Sequence, residues 1–182
     1  FHIQGETLVG LVLPDTIPKL IEDLSVPFKV ITTDFDAMEE RVIASGPLVR
    51  AVAASIAIPG VILGPKINGH VHVDGGVTNP VPFDHVRDGM DIVVAVDVTG
   101  RPRPPARTSH SNMELAVGSL LIMFHRVARL RRAAAPPDIY VEPALAEFRG
   151  GDFFKLKEVL AAAQPAKDSL KRELEKRLNQ IA

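Results

Sequence analysis

The sequence predicts an α/β fold, and three observations carry that reading. Short stretches rich in β-branched residues (28–33, 41–44, 71–74 and 91–98) are interleaved with stretches of helical periodicity. Asn68-Gly69 lies between two strand-like flanks, the strongest short signal for a hairpin. The chain then closes on long helical segments. The last of these carries Leu170, Leu174, Leu178 and Ile181 on one stripe.

Taken in order, Asp15 or Thr16 can cap a short helix through Leu24, with Pro18 near its first turn. Pro27 introduces a buried strand, Phe28-Lys29-Val30-Ile31-Thr32-Thr33. An acidic loop from Asp34 to Glu40 leads to a second strand, Arg41-Val42-Ile43-Ala44. Ser45-Gly46-Pro47 opens a helix with Leu48, Val49, Val52 and Ile56 on one face, ending before Pro59-Gly60. After the hairpin, Pro82 to Arg87 forms a short helix, and Asp91 to Val98 reads as a central strand buried on both faces. Arg101 to Arg107, with its prolines and arginines, reads as an exposed extended loop. Met113 to about Arg132 is a long helix, Ile139-Tyr140-Val141 a short strand, and Phe153–Ala163 and Ala166–Ile181 two final helices. The last is backed by Asp168–Arg172 and Glu173–Arg177 pairs.

Composition narrows the function classes. Apolar residues make up 46% and charged residues 24%, the balance of an ordinary soluble globular domain, and 182 residues suffice for a substantial core. A net charge of −1, one tyrosine and no tryptophan give no basis for nucleic-acid binding. The absence of cysteine excludes disulfides, thiolate metal sites and a cysteine nucleophile. No apolar stretch reaches the roughly 18 to 20 residues that span a bilayer. The opening Phe1-His2-Ile3-Gln4 suggests a piece of a longer polypeptide.

The chemistry concentrates in Val71-His72-Val73-Asp74-Gly75-Gly76-Val77-Thr78-Asn79-Pro80. Apolar side chains at 71, 73 and 77 anchor the segment. Gly75 and Gly76 permit a tight turn that presents Asp74 without bulky neighbours. Two readings stand: a carboxylate held rigidly at a strand end to act on a partner group, or an Asx turn in which Asp74 only bonds its own backbone. The natural partner is a serine in a G-x-S-x-G elbow. None of Ser25, Ser45, Ser55, Ser109, Ser111, Ser119 and Ser169 is flanked that way, so the chain carries at most half of such a site.

Other patterns also admit two readings. His70, His72 and Asp74 share one face of a strand, as zinc ligands or as a hairpin arm whose histidines face solvent. Asp97-Val98-Thr99-Gly100 loosely follows an aspartic-protease loop, or is a strand-end aspartate capping local backbone. The helix from Met113 is apolar from Leu115 to Phe124 and then basic at Arg126, Arg129, Arg131 and Arg132. That pattern suits either the helix macrodipole or a membrane surface.

Asp74-Gly75-Gly76 closely resembles the Asp-Gly-Gly/Ala motif of the patatin-like phospholipases and lipid acyl hydrolases. Thr33-Asp34 is similar to that family's Thr-Asp strand end. Ser45-Gly46-Pro47-Leu48 and Ala54-Ser55-Ile56-Ala57-Ile58-Pro59-Gly60 resemble its helix and turn, and Asn79-Pro80-Val81-Pro82 and Ala95-Val96-Asp97 follow in the same order. The resemblance runs from about Pro27 to Thr99. It implies a three-layer α/β/α fold, incomplete here, with residues 1–182 as the C-terminal part of one patatin-like domain. It also implies a Ser–Asp dyad without histidine, in which Asp74 is the catalytic aspartate and Gly75 and Gly76 form its supporting turn. The family's nucleophile serine and glycine-rich oxyanion loop have no counterpart in this chain, and Ser55 matches a serine that is not the nucleophile.

The resemblance implies no cofactor and no metal. The implied partners are a lipid or ester substrate, possible peripheral membrane contact, and the N-terminal part of the same protein. The implied location is the cytoplasm or a membrane surface. A sheet lacking upstream strands would expose an apolar edge, so aggregation or pairing with that part is expected of the isolated chain. A non-catalytic lipid-binding or interaction module that keeps the fold is the other reading.

Overall fold

A computed structural model describes residues 3–99, 109–145, 147–148 and 155–181. They form two compact units, one from the chain up to Pro80 together with Ser109–Phe124, the other from Val81–Thr108 and His125–Ala182. Strands and helices are mixed throughout, and the α/β class is borne out.

The first unit is built on a four-stranded antiparallel sheet in the order β3 (Glu39–Ile43), β2 (Val30–Asp34), β6 (His70–Asp74), β5 (Lys66–Ile67). Every residue of β2 is buried, as befits its central position. The Asn68-Gly69 hairpin forms as expected, with both residues at positive φ (52° and 86°), the signature of a type I′ turn. Helix α2 (Leu48–Ser55) lies against β2 and β6, burying Leu48, Ala51, Ala53 and Ala54. Ile21, Val30, Leu48 and Ala51 form the centre of the core.

Two elements at the start of the chain depart from expectation. Residues Gly5–Val12 form a helix, α1, that packs on α2, while β1 (Ile3–Gln4) pairs in parallel with β4 (Ile62–Leu63). The helix expected through Leu24 is instead a single 3₁₀ turn, Ile21–Asp23. The reason lies in the backbone hydrogen bonds. Ile21 N–H donates to the Gly46 carbonyl (3.0 Å) and the Lys19 carbonyl accepts from Leu48 N–H (2.9 Å). Groups that a helix would pair within itself are taken by the loop before α2.

The second unit contains a two-stranded parallel sheet, β7 (Val94–Val96) with β8 (Ile139–Val141). The predicted 91–98 strand is therefore shorter than expected, and it is not buried on both faces. Val93, Ala95 and Asp97 point inward, whereas Val96 and Val98 are exposed, an alternation that marks one covered face. Val81, Phe83, Val93, Ala95 and Ala128 form its core, and the short helix at Pro82–Arg87 appears as a 3₁₀ turn, Phe83–Val86.

Helix α3 (Asn112–Ala134) matches the predicted long helix. Two arginines of its basic end are engaged internally: Arg131 meets Asp84 at 3.2 Å, and Arg132 meets Glu142 at 3.5 Å and lies over the Tyr140 ring, whereas Arg126 and Arg129 are exposed. The two final helices are one, α4 (Leu156–Ile181), which passes through Pro165. Pro165 and Ala161 both face solvent, so water can satisfy the carbonyl that the missing N–H leaves. Arg177 pairs with Glu173 as anticipated, at 3.3 Å, whereas Asp168 accepts from Gln164. The predicted loop at 101–107 lies outside the described residues.

Candidate active site

Asp74 is the last residue of β6 and caps a 3₁₀ turn, Gly75–Val77. The strand fixes its position from one side. Asp74 pairs with Thr32 on β2, and its N–H donates to the Ala57 carbonyl just beyond α2 (3.0 Å). On the other side the Thr33 hydroxyl donates to the Asp74 carbonyl (3.1 Å). Oδ1 of the carboxylate accepts the Gly76 N–H at 2.7 Å. Oδ2 has no hydrogen-bond partner among the described residues.

The two glycines are required by close approach. A Cβ on Gly75 would stand 2.2 Å from the Ile31 carbonyl oxygen, and one on Gly76 would stand 2.6 Å from the Phe124 ring. The Gly75 carbonyl accepts both Thr78 N–H (3.1 Å) and Asn79 N–H (2.8 Å), which closes the corner. Burial pushes the Asp74 carboxyl above its ordinary 3.8, while the Gly76 N–H opposes this by favouring the ion. The turn is thus an Asx turn and a rigid mount for a partly dried carboxylate at once. Of the two readings, the structure displays the Asx turn.

The other candidate groups fall differently. Ser55 Oγ donates to the Ile31 carbonyl at 2.6 Å, a bond that ties α2 to the sheet. Of the histidine pair expected to face solvent, His72 is 5% exposed and sits on the covered face beside Thr32. Burial pushes its imidazole below the ordinary 6.5. His70 is half-exposed and places Nδ1 2.8 Å from Asp34 Oδ2. Among the described residues, the group whose ligand atoms approach within 4.8 Å of one another is Asp34, Asp36 and His70, not His70, His72 and Asp74. Asp34 also accepts Ala37 N–H (2.9 Å) and lies 3.7 Å from Arg41. The Ala37 N–H above all, with His70 behind it, holds the Asp34 carboxyl at about 2.

Asp97 caps local backbone, as one reading had it. It accepts Thr99 N–H at 2.9 Å and the Tyr140 hydroxyl at 2.8 Å.

Residues 5–87 match the family described as patatin-like phospholipase. Over that stretch this chain is similar to the patatin-like phospholipases. Among its relatives is an uncharacterized NTE family protein of Mycobacterium tuberculosis, 33% identical over 112 residues, which is 61% of this chain and 31% of that protein. A patatin-like phospholipase domain-containing protein of Caenorhabditis elegans is 35% identical over 124 residues, 66% of this chain and 9% of that protein. Patatin-like phospholipase domain-containing protein 7 of Rattus norvegicus is 42% identical over 85 residues, 44% of this chain and 6% of that protein. The matched region is therefore a third or less of the length of these relatives.

The structure adds residues that the motif alone did not indicate: Thr33 and Thr78 around the Asp74 corner, and, beyond the matched segment, Phe124 over Gly76. Thr33 was visible in sequence only as part of a strand end. Nothing in its spacing from Asp74 announces a contact across 41 residues. No helix among the described residues is long and apolar enough to cross a membrane.

Proposed function

We propose that this chain supplies the base of a lipid acyl hydrolase, with Asp74 as the aspartate of a Ser–Asp dyad. The serine and the oxyanion donors come from polypeptide outside these residues. The observation that carries the reading is the state of one carboxylate: Oδ1 is fixed by the Gly76 N–H, Oδ2 is open, and burial weakens the acid. An ordinary carboxylate with pKa about 4 is a poor base at neutral pH, so an upward shift moves it towards usefulness.

In this mechanism Oδ2 accepts the serine proton as Oγ attacks the ester carbonyl. A tetrahedral oxyanion forms, and its collapse expels the alcohol, which takes the proton from Asp74. Asp74 then draws a proton from water as it attacks the acyl-serine; collapse releases the acid, and Asp74 returns the proton to the departing serine Oγ, ending ionised as it began. Without the serine no acyl-enzyme forms, and loss of one oxyanion donor typically costs a further factor of about 10² to 10³ in rate, so turnover requires the rest of the site. Two short parallel sheets, β1–β4 and β7–β8, also favour further strands from elsewhere, since parallel sheets are ordinarily larger and covered on both faces.

The test is hydrolysis of a short-chain p-nitrophenyl ester by the longer polypeptide that carries this chain, compared with its Asp74→Asn variant. A loss of about 10³-fold or more is expected. Equal rates would end the dyad assignment.

A second reading, a non-catalytic lipid-binding module, is favoured by one observation. Leu115, Leu121, Ile122 and Met123 on α3 are each about half exposed. Co-sedimentation of the same polypeptide with phosphatidylcholine vesicles, with no ester turnover, would select it.

A further inference from the structure

Two threonine hydroxyls lie between the central strand and the Asp74 corner, and the hydrolase reading gives them no role. Thr33 is 5% exposed, and its Oγ1 donates to the Asp74 carbonyl at 3.1 Å. It also lies 3.0 Å from Thr78 Oγ1, which stands 3.3 Å from the Gly75 carbonyl. Each hydroxyl has one proton. Because the Gly75 carbonyl already accepts two backbone N–H groups, the Thr78 hydroxyl can donate to Thr33 Oγ1 while Thr33 Oγ1–H donates to the Asp74 carbonyl.

The location explains the need. The β2–β6 pairing ends at Thr32 and Asp74, and beyond it the chain turns away into Gly75–Val77. A carbonyl at such a departure has no ladder N–H to accept, and a buried carbonyl left unpaired is costly. The two peptide groups that flank the Asp74 Cα are therefore pinned, one at the Asp74 N–H by Ala57 and the other at the Asp74 carbonyl by Thr33. The aim of the carboxylate depends on both.

We propose that Thr33, backed by Thr78, is a positioning residue that holds the Asp74 corner in its productive geometry; this rests on the reading of Asp74 as the base. Thr33 touches no substrate in this scheme and acts only through Asp74. A displacement of about 1 Å at a reacting group can cost about 10²-fold in rate. A slack corner also loosens the Gly76 N–H bond, which favours the ionised carboxylate.

The experiment uses the longer polypeptide that carries this chain, with a p-nitrophenyl ester. Thr33→Val keeps the shape and removes the hydroxyl. It should lower kcat by about ten- to a hundredfold with KM little changed, and move the acid limb of the pH–rate profile to higher pH. Thr33→Ser, which restores the donor, should return both to near wild type. Tyr140→Phe, which removes a hydroxyl bond to Asp97 in the second unit (2.8 Å), should reduce Tm without moving the acid limb.

Wild-type kcat and acid limb in Thr33→Val would overturn the proposal. So would a rate loss that Thr33→Ser fails to restore and that leaves the limb in place, because that pattern is general destabilisation. Should Thr33→Val not fold, Thr78→Val carries the same test from a half-buried position. Asp74→Asn, run beside them, separates the two claims: full activity there defeats the base assignment itself, whatever Thr33 does.

Discussion

Gly75 passes beneath the Ile31 carbonyl so closely that a Cβ at Gly75 would lie 2.2 Å from the oxygen. Ile31 is in the buried central strand, held between β3 and β6, and cannot withdraw. The corner that presents Asp74 is thus fixed by backbone meeting backbone, not by a flexible side chain.

Gly75→Ala is accordingly expected to destabilise the protein by about 3 kcal/mol or more, because the clash forces a backbone shift in a packed layer. Thermal unfolding of the variant checks it; an unchanged Tm would contradict the geometry.

Gly76 makes a different kind of contact, since its obstacle is the Phe124 ring at 2.6 Å. A side chain can yield where backbone cannot. Gly76→Ala should cost about 1–3 kcal/mol alone, and Phe124→Leu should recover part of that in the double variant. Strictly additive costs in a double-mutant cycle would count against the contact.

Burial raises the Asp74 carboxyl above 3.8, so the fold favours its protonated form. Its contribution to stability is complete below 3.8 and is lost as pH rises through the raised value. Activity has the opposite sign, because the base must be ionised. The acid limb of kcat/KM should therefore have its midpoint above 3.8. A pH–rate profile with its midpoint at or below that value would remove the support that burial gives to Asp74 as base.

His72 is shifted downward, mainly by burial, so its neutral form is favoured in the fold. Stability should be complete above pH 6.5 and fall as pH drops below it, while the unfolded chain takes up a proton that the fold resists. His72→Gln should flatten this part of the curve. Denaturant midpoints measured between pH 7 and pH 5 supply the check. Asp34, held at about 2, adds a second loss that begins only near 3.8 and below.

In the second unit, Tyr140 donates to the buried Asp97 at 2.8 Å, and burial together with Asp97 holds the phenol above its ordinary value of 10. Tyr140→Phe should cost about 1.5–3 kcal/mol, the usual range for a hydrogen bond to a charged group. Chemical denaturation of the variant measures it, and a change below about 0.5 kcal/mol would show that the bond contributes nothing net.

The local code of this chain was legible where chemistry is local. The Asn68-Gly69 hairpin, the α2 start after Gly46-Pro47, the β8 strand and the double-glycine corner after Asp74 all follow from residues that dictate their own backbone. The ordered motifs around Asp74 were enough to indicate the family matched at residues 5–87. Local signals failed where distant groups compete for the same backbone. The 15–24 segment gave up its helix because loop 46–48 took its hydrogen bonds, and Pro165 failed to break α4 because its carbonyl partner faces water. Burial of His72 and the threonine contacts at Asp74 were likewise decided by the β2–β6 register, which brings residues some forty positions apart to within 3.5 Å. Residue identity determined which groups were available; only the pairing of strands determined which of them meet, because register, unlike turn chemistry, is set by the whole sheet.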